Sequence, residues 1–149
     1  MLTLALTTLL AAPGVGARLD VGPGVPVSAP QTAYFTTGFA GSVTAELSVL
    51  PVLDLEAQVG WLLLPPRSGA PITGSGTLLT VGAGARLRRP VEQNLVIPWA
   101  EVLLNYGHSG GGRFPLTATT GVSFKPTSAG LLVGVFGRFQ HVFALAPAE

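Results

Sequence analysis

Between residues 39 and 63 apolar and polar positions alternate in two runs, separated by Leu50-Pro51-Val52. In the first run Phe39, Val43, Ala45, Leu47 and Val49 share one parity, and Ala40, Ser42, Thr44, Glu46 and Ser48 take the other. In the second run Leu53, Leu55, Ala57, Val59, Trp61 and Leu63 alternate with Asp54, Glu56, Gln58 and Gly60. Side chains of a strand point alternately to its two faces, so each run predicts a strand with one apolar and one polar face. The tight break between them predicts an antiparallel hairpin.

The same period recurs along the chain. Residues 18–28 predict a first strand, with Leu19 and Val21 opposite Asp20 and Gly22, although Pro23 and Pro26 each remove a ladder donor. In 76–88, Leu79, Val81, Ala83, Ala85 and Leu87 oppose Thr80, Gly82, Gly84, Arg86 and Arg88. In 97–106, Ala100, Val102, Leu104 and Tyr106 oppose Trp99, Glu101, Leu103 and Asn105. Residues 114–125 alternate Leu116, Ala118, Thr120, Val122 and Phe124 with Thr117, Thr119, Gly121, Ser123 and Lys125. A last run, 130–145, sets Leu131, Val133, Val135, Phe139 and Phe143 against Gly134, Phe136, Arg138 and Gln140. These runs exceed the five or so residues common in soluble sheets and match the roughly 9–11 that a tilted strand needs to cross a bilayer. The connections alternate as well, short at 50–52, 89–95 and 126–129 and longer at 29–36, 65–75 and 107–113. Short periplasmic turns and longer extracellular loops are the habit of outer-membrane barrels.

Alternation does not by itself say which face meets water; composition does. Of 149 residues, 10% are charged, against roughly 25% in an ordinary soluble domain, and the mean hydropathy is +0.54. That is too little charge to cover an aqueous exterior, yet no apolar run reaches the roughly 18 residues of a membrane helix. The expected fold is therefore all-β, a small antiparallel up-and-down transmembrane β-barrel, with seven strands legible after Arg18. With no Cys, disulfides and thiolate metal sites are excluded, and a net charge of +1 gives no reason to expect nucleic acid.

Residues 1–17 end in Pro13-Gly14-Val15-Gly16-Ala17 after an apolar stretch. They read as an export signal peptide without a basic start, leaving 18–149 as the barrel domain. Bacterial single-chain barrels have an even strand number, so seven strands imply that the final strand is missing. The alternation of Leu2, Leu4 and Leu6 with Thr3, Ala5 and Thr7 is the competing reading, in which residues 2–10 are the eighth strand.

With the apolar face turned outward, the polar face lines the lumen. Glu46, Asp54, Glu56 and Glu101 supply acids and Arg86, Arg88, Lys125 and Arg138 supply bases, four against four. Buried charges must pair or lose several kcal/mol each in desolvation. Arg86, Arg88 and Arg138 are each expected to find a carboxylate in this set, and inward glycines at 60, 82, 84, 121 and 134 make room for them. The charges either fill the lumen or line a gated ion path.

The stretches LDLEAQVGWLLLP (53–65), GTLLTVGAGARLRRP (76–90), VIPWAEVLLNYG (96–107) and GVFGRFQHVF (134–143) resemble the small eight-stranded outer-membrane barrels, such as the membrane domain of outer membrane protein A. The resemblance is one of architecture and texture, spread from Arg18 to Phe143, and it implies an outer-membrane location with lipid as the partner. Members often carry a periplasmic peptidoglycan-binding domain after the barrel; this sequence contains none, and that function is not carried over.

No catalytic role, cofactor or metal is expected. His108-Ser109 is placed in a Gly-rich outer loop with no acid near it in sequence, and a nucleophile needs a base and an orienting acid. His141 shares parity with Phe139 and Phe143 and is placed at the lipid interface. An integral outer-membrane protein with a structural or anchoring role is the leading expectation. The alternatives are a narrow ion or small-solute channel, an anchoring subunit of a surface assembly, and a soluble lipid-binding barrel with its apolar face inside.

Overall fold

The computed structural model describes residues 2–12, 14–29, 31–72, 74–90, 95–108, 112–124 and 131–144. Eight strands run in chain order: β1 (Leu2–Ala12), β2 (Val15–Val25), β3 (Gly38–Leu50), β4 (Leu53–Leu64), β5 (Gly76–Arg88), β6 (Val96–His108), β7 (Gly112–Phe124) and β8 (Leu131–Ala144). One short helix, α1 (Gln31–Tyr34), lies between β2 and β3. Each strand pairs antiparallel with its neighbours, and β1 pairs with β8, so the sheet closes into an up-and-down barrel. Closure leaves no strand edge unpaired.

The seven strands expected from Arg18 onward are β2 to β8, and Leu2–Ala12 supplies an eighth, as in the competing reading of residues 2–10. Leu2–Ala12, read as the apolar part of an export signal, is β1, hydrogen-bonded on both sides with Leu6 opposite Val21 and Val135. Val15, Gly16 and Ala17, read as a cleavage region, open β2. No missing final strand is needed to complete the ring. The alternation of Leu2, Leu4 and Leu6 was the physical signal, and the apolar length of the segment masked it. The β1–β2 turn is made at Gly14, whose φ of 83° is open to glycine at little cost.

Two further boundaries move. β6 extends to His108 and β7 begins at Gly112, with His108 opposite Gly112, so both ends of the expected 107–113 loop are strand, and 109–111 fall outside the described residues. The longer connections, 26–37 and 65–75, both lie at one end of the barrel, where β6 also finishes. The turns at Gly14 and Pro51-Val52 lie at the other end, where β5 and β7 also finish; the expected connections at 89–95 and 126–129 fall wholly or in part outside the described residues.

Parity sorts the residues as the alternation predicts. On β6, Ile97, Trp99, Glu101, Leu103 and Asn105 are buried, whereas Val96, Val102, Leu104 and Tyr106 are exposed. Val43, Leu47, Leu55, Val59 and Val81 face outward on β3, β4 and β5. The lumen holds fully buried Leu103 and two small apolar clusters, Trp99 with Phe136 and Ile97 with Leu132. Trp99 fits because it lies opposite Gly121, where an added Cβ would fall 2.6 Å from the indole and 2.8 Å from Phe136.

Overpacking a filled core typically costs about 1–3 kcal/mol. Gly121→Val is therefore expected to lower stability by about that much in urea unfolding, while Gly137→Val, where nothing lies within 4 Å of an added Cβ, leaves it nearly unchanged. Equal losses at the two positions would mean that Trp99 does not depend on the space at Gly121.

Candidate functional site

Among the described residues, inward parity on β2, β3, β4, β5, β6 and β8 brings nine charged side chains into the lumen. Arg18, on β2, is about 1% exposed and meets four carboxylates. Its Nε lies 3.1 Å from Asp20 Oδ2, its Nη1 3.2 Å from both Glu46 Oε1 and Glu56 Oε1, and its Nη2 donates to Glu101 Oε2. Arg86, on β5, donates from Nη2 to Glu46 Oε2 at 2.6 Å and to Asp54 Oδ2 at 2.9 Å, with its Nε 3.4 Å from Glu56 Oε1. The two arginines thus share Glu46 and Glu56, which sit directly opposite each other on β3 and β4. Two carboxylates face to face repel; the guanidiniums on either side offset that repulsion.

The network extends in both directions along the barrel. Toward the short turns, Arg88 donates to Asp54 Oδ2 at 2.6 Å and to Ser48 Oγ at 3.0 Å, and Ser48 donates in turn to Asp54 Oδ1 at 2.7 Å. Across the barrel, Arg138 of β8 donates to Asp20 Oδ2 at 2.9 Å and Ser42 Oγ at 3.1 Å, and lies 3.5 Å from Glu101 Oε1. Planar guanidinium forks suit several oxygens at once, which a lysine ammonium does less well. The Trp99 ring lies 5.0 Å from the Arg18 guanidinium and 5.7 Å from that of Arg86, within cation–π range, and its Nε1 donates to Ser123 Oγ at 3.0 Å. Phe136 is placed likewise under Arg138, at 5.2 Å.

Of the eight residues expected in the lumen network, Glu46, Asp54, Glu56, Arg86, Arg88, Glu101 and Arg138 are brought together there, and Lys125 lies outside the described residues. Arg86, Arg88 and Arg138 each meet a carboxylate of the expected set, but the shortest contact of Arg138 is with Asp20, which was not in it. Arg18 and Asp20 are the residues that sequence reasoning missed. They share the inward parity and stand opposite Thr44 and Ser42 of β3, a signal that was present in the sequence. Placing a cleavage site just before Arg18 made it look like a strand end.

His108 is corrected from loop to strand: it sits on β6, exposed, opposite Leu79, and Ser109 lies outside the described residues. His141 lies on the exposed side of β8, opposite Leu116. The arrangement offers fixed charge, not a nucleophile beside a base, and no cluster of three His, Asp or Glu fit to hold a metal occurs among the described residues. Space is scarce: the cavity beside Gln58, Thr80 and Arg138 measures about 20 Å³, room for about one water.

Among the described residues the lumen holds five carboxylates (Asp20, Glu46, Asp54, Glu56, Glu101) and four arginines (Arg18, Arg86, Arg88, Arg138). Removing an arginine therefore leaves more uncompensated charge than removing an acid. Arg18→Met is expected to cost about 3–5 kcal/mol, the usual loss when one partner leaves a buried pair. Glu56→Gln should cost less, because both its arginines keep other carboxylates, and so should Arg88→Met at the wetter end. Urea unfolding of the three variants checks the order; an Arg88→Met loss equal to that of Arg18→Met would remove Arg18 from the centre of the network.

Comparison with protein-family models, with curated proteins and with solved structures finds no match to this chain.

Proposed function

We propose that the protein is an integral outer-membrane β-barrel with a structural or anchoring role, its lumen closed by the arginine–carboxylate network. The observation that carries this reading is the inversion of the barrel: charge is inside, and the outer wall is apolar. Leu104 is 72% exposed, Leu87 60% and Val81 55%, and they belong to a wall of large apolar side chains running round the strands. An exposed apolar surface of that extent marks contact with lipid or protein. Strands of 11 to 14 residues are long enough to span a tilted bilayer crossing.

Phe39, Trp61, Tyr106 and Phe114 are exposed toward the long-connection end, with Tyr106 and Phe114 packed edge to face at 5.5 Å. Aromatic girdles at a membrane interface have this character, and the longer connections at this end favour an orientation with 65–75 on the outside. A soluble lipid-binding barrel needs the opposite facing, with apolar side chains within. The filled lumen favours an anchor over a channel, and the resemblance in texture to small outer-membrane barrels agrees with it.

Two measurements test the proposal. Val81→Arg, near the middle of the wall, is expected to cost about 2–4 kcal/mol in vesicles. On a water-facing surface the same change stays within about 0.5 kcal/mol, and that result, together with failure to partition into detergent, would overturn the membrane reading. In planar bilayers the protein is expected to be electrically silent; discrete current steps would replace the anchor with a narrow channel.

A further inference from the structure

At the long-connection end, beyond the charge network, the barrel holds a cavity of about 400 Å³. Leu62 and Leu64 of β4, Leu78 of β5 and Val142 of β8 form its apolar side, Phe35 closes over it, and Arg113 of β7 lines it. This roof is built into the fold. Phe35 bridges Pro66, its N donates to Gln31 O at 2.9 Å, and Arg67 N donates to Tyr34 O at 2.8 Å, tying the α1 segment to the 65–75 connection. Gly76 is what lets the Phe35 ring settle there: a Cβ at that position would fall 2.8 Å from it.

The charge at this cavity is unlike the rest of the interior. Arg18, Arg86, Arg88 and Arg138 each meet a carboxylate. Among the described residues Arg113 has no ion-pair partner and no carboxylate lines the cavity. A guanidinium beside an apolar wall, in a space within the usual size of a small-ligand site, fits a molecule with one anionic end and one apolar end.

We propose that the mouth of the barrel binds a medium-chain alkyl carboxylate, with its head on Arg113 and its chain against Leu62, Leu64, Leu78 and Phe35. At the packing density of a protein interior the cavity holds a single chain of up to roughly fifteen carbons, so a ten-carbon carboxylate fits with its headgroup and a two-chain phospholipid exceeds it. The site is made by the barrel's mouth and does not depend on what surrounds the outer wall.

Calorimetric titration of decanoate into the protein in zwitterionic nanodiscs, with empty nanodiscs as the blank, tests this. Saturable one-site binding is expected, at least tenfold weaker for decanol and for decyltrimethylammonium. Arg113→Gln should weaken decanoate binding at least tenfold and Arg113→Lys should retain most of it. Gly76→Val, which displaces Phe35, should weaken decanoate and decanol alike. Equal binding of decanoate and decanol, an unchanged Arg113→Gln variant, or no heat above the blank would each overturn the proposal. Should the protein prove water-soluble, the same titration runs in plain buffer, so the mouth site and the membrane reading fail separately.

Discussion

A charge in the middle of this barrel has almost no water to turn to, and that constraint governs what the lumen contains. Moving an ion from water into such a site costs several kcal/mol even after relaxation. Each charged side chain must then be answered by another at hydrogen-bond distance. Arg18 is the extreme case, with carboxylates from β2, β3, β4 and β6 on one guanidinium. The network is weak evidence for high stability, since a well-packed apolar interior of the same volume is often as stable. It is strong evidence for a single register. Sliding any one strand by a residue would turn its charged partners outward and leave the remainder unpaired.

Volume is the second constraint, and glycine meets it. A small barrel has little room for four arginines, an indole and a phenyl ring at once. Gly84 lies opposite Leu103, and Gly82 opposite Asn105, with partner atoms so close that a Cβ would collide. Gly121 yields its space to Trp99 in the same way. Outside, Gly41 lies under the Trp61 ring, so an aromatic covers the backbone that a glycine leaves bare. Large residues and glycines therefore alternate across strand pairs, not only along strands.

Much of this was legible from period two alone, because a strand face is a one-bit property and the charged residues mark its inner side. Glu46, Asp54, Glu56, Arg86 and Glu101 all follow from parity. What parity does not carry is which strand is the partner of which across the lumen. The contact of Arg138 with Asp20, from β8 to β2, needs the ring to close, and closure depended on reading Leu2–Ala12 as a strand. That segment carries Thr in place of charge, so nothing polar enough distinguished a strand from an apolar leader. The mouth was hidden for a different reason: Arg113 shares the inward parity of β7 but was read as loop, and Phe35 reaches the cavity through a connection that no period encodes.

The β1–β8 seam has a consequence for how the chain assembles. The other neighbouring strands meet through connections of a dozen residues or fewer, so their hairpins form locally. At the seam Thr3 stands opposite Arg138, about 135 positions away. Loop-closure entropy grows only with the logarithm of length, so bringing these ends together costs roughly 2 kcal/mol more than closing a 20-residue hairpin. A full ladder of backbone hydrogen bonds, with Arg138 drawn to Asp20 and Ser42 beyond the seam, offsets that readily. The expense of closure is one of time: the seam is expected to form last, and a curled sheet without it would present two open edges, each a template for a strand from another chain.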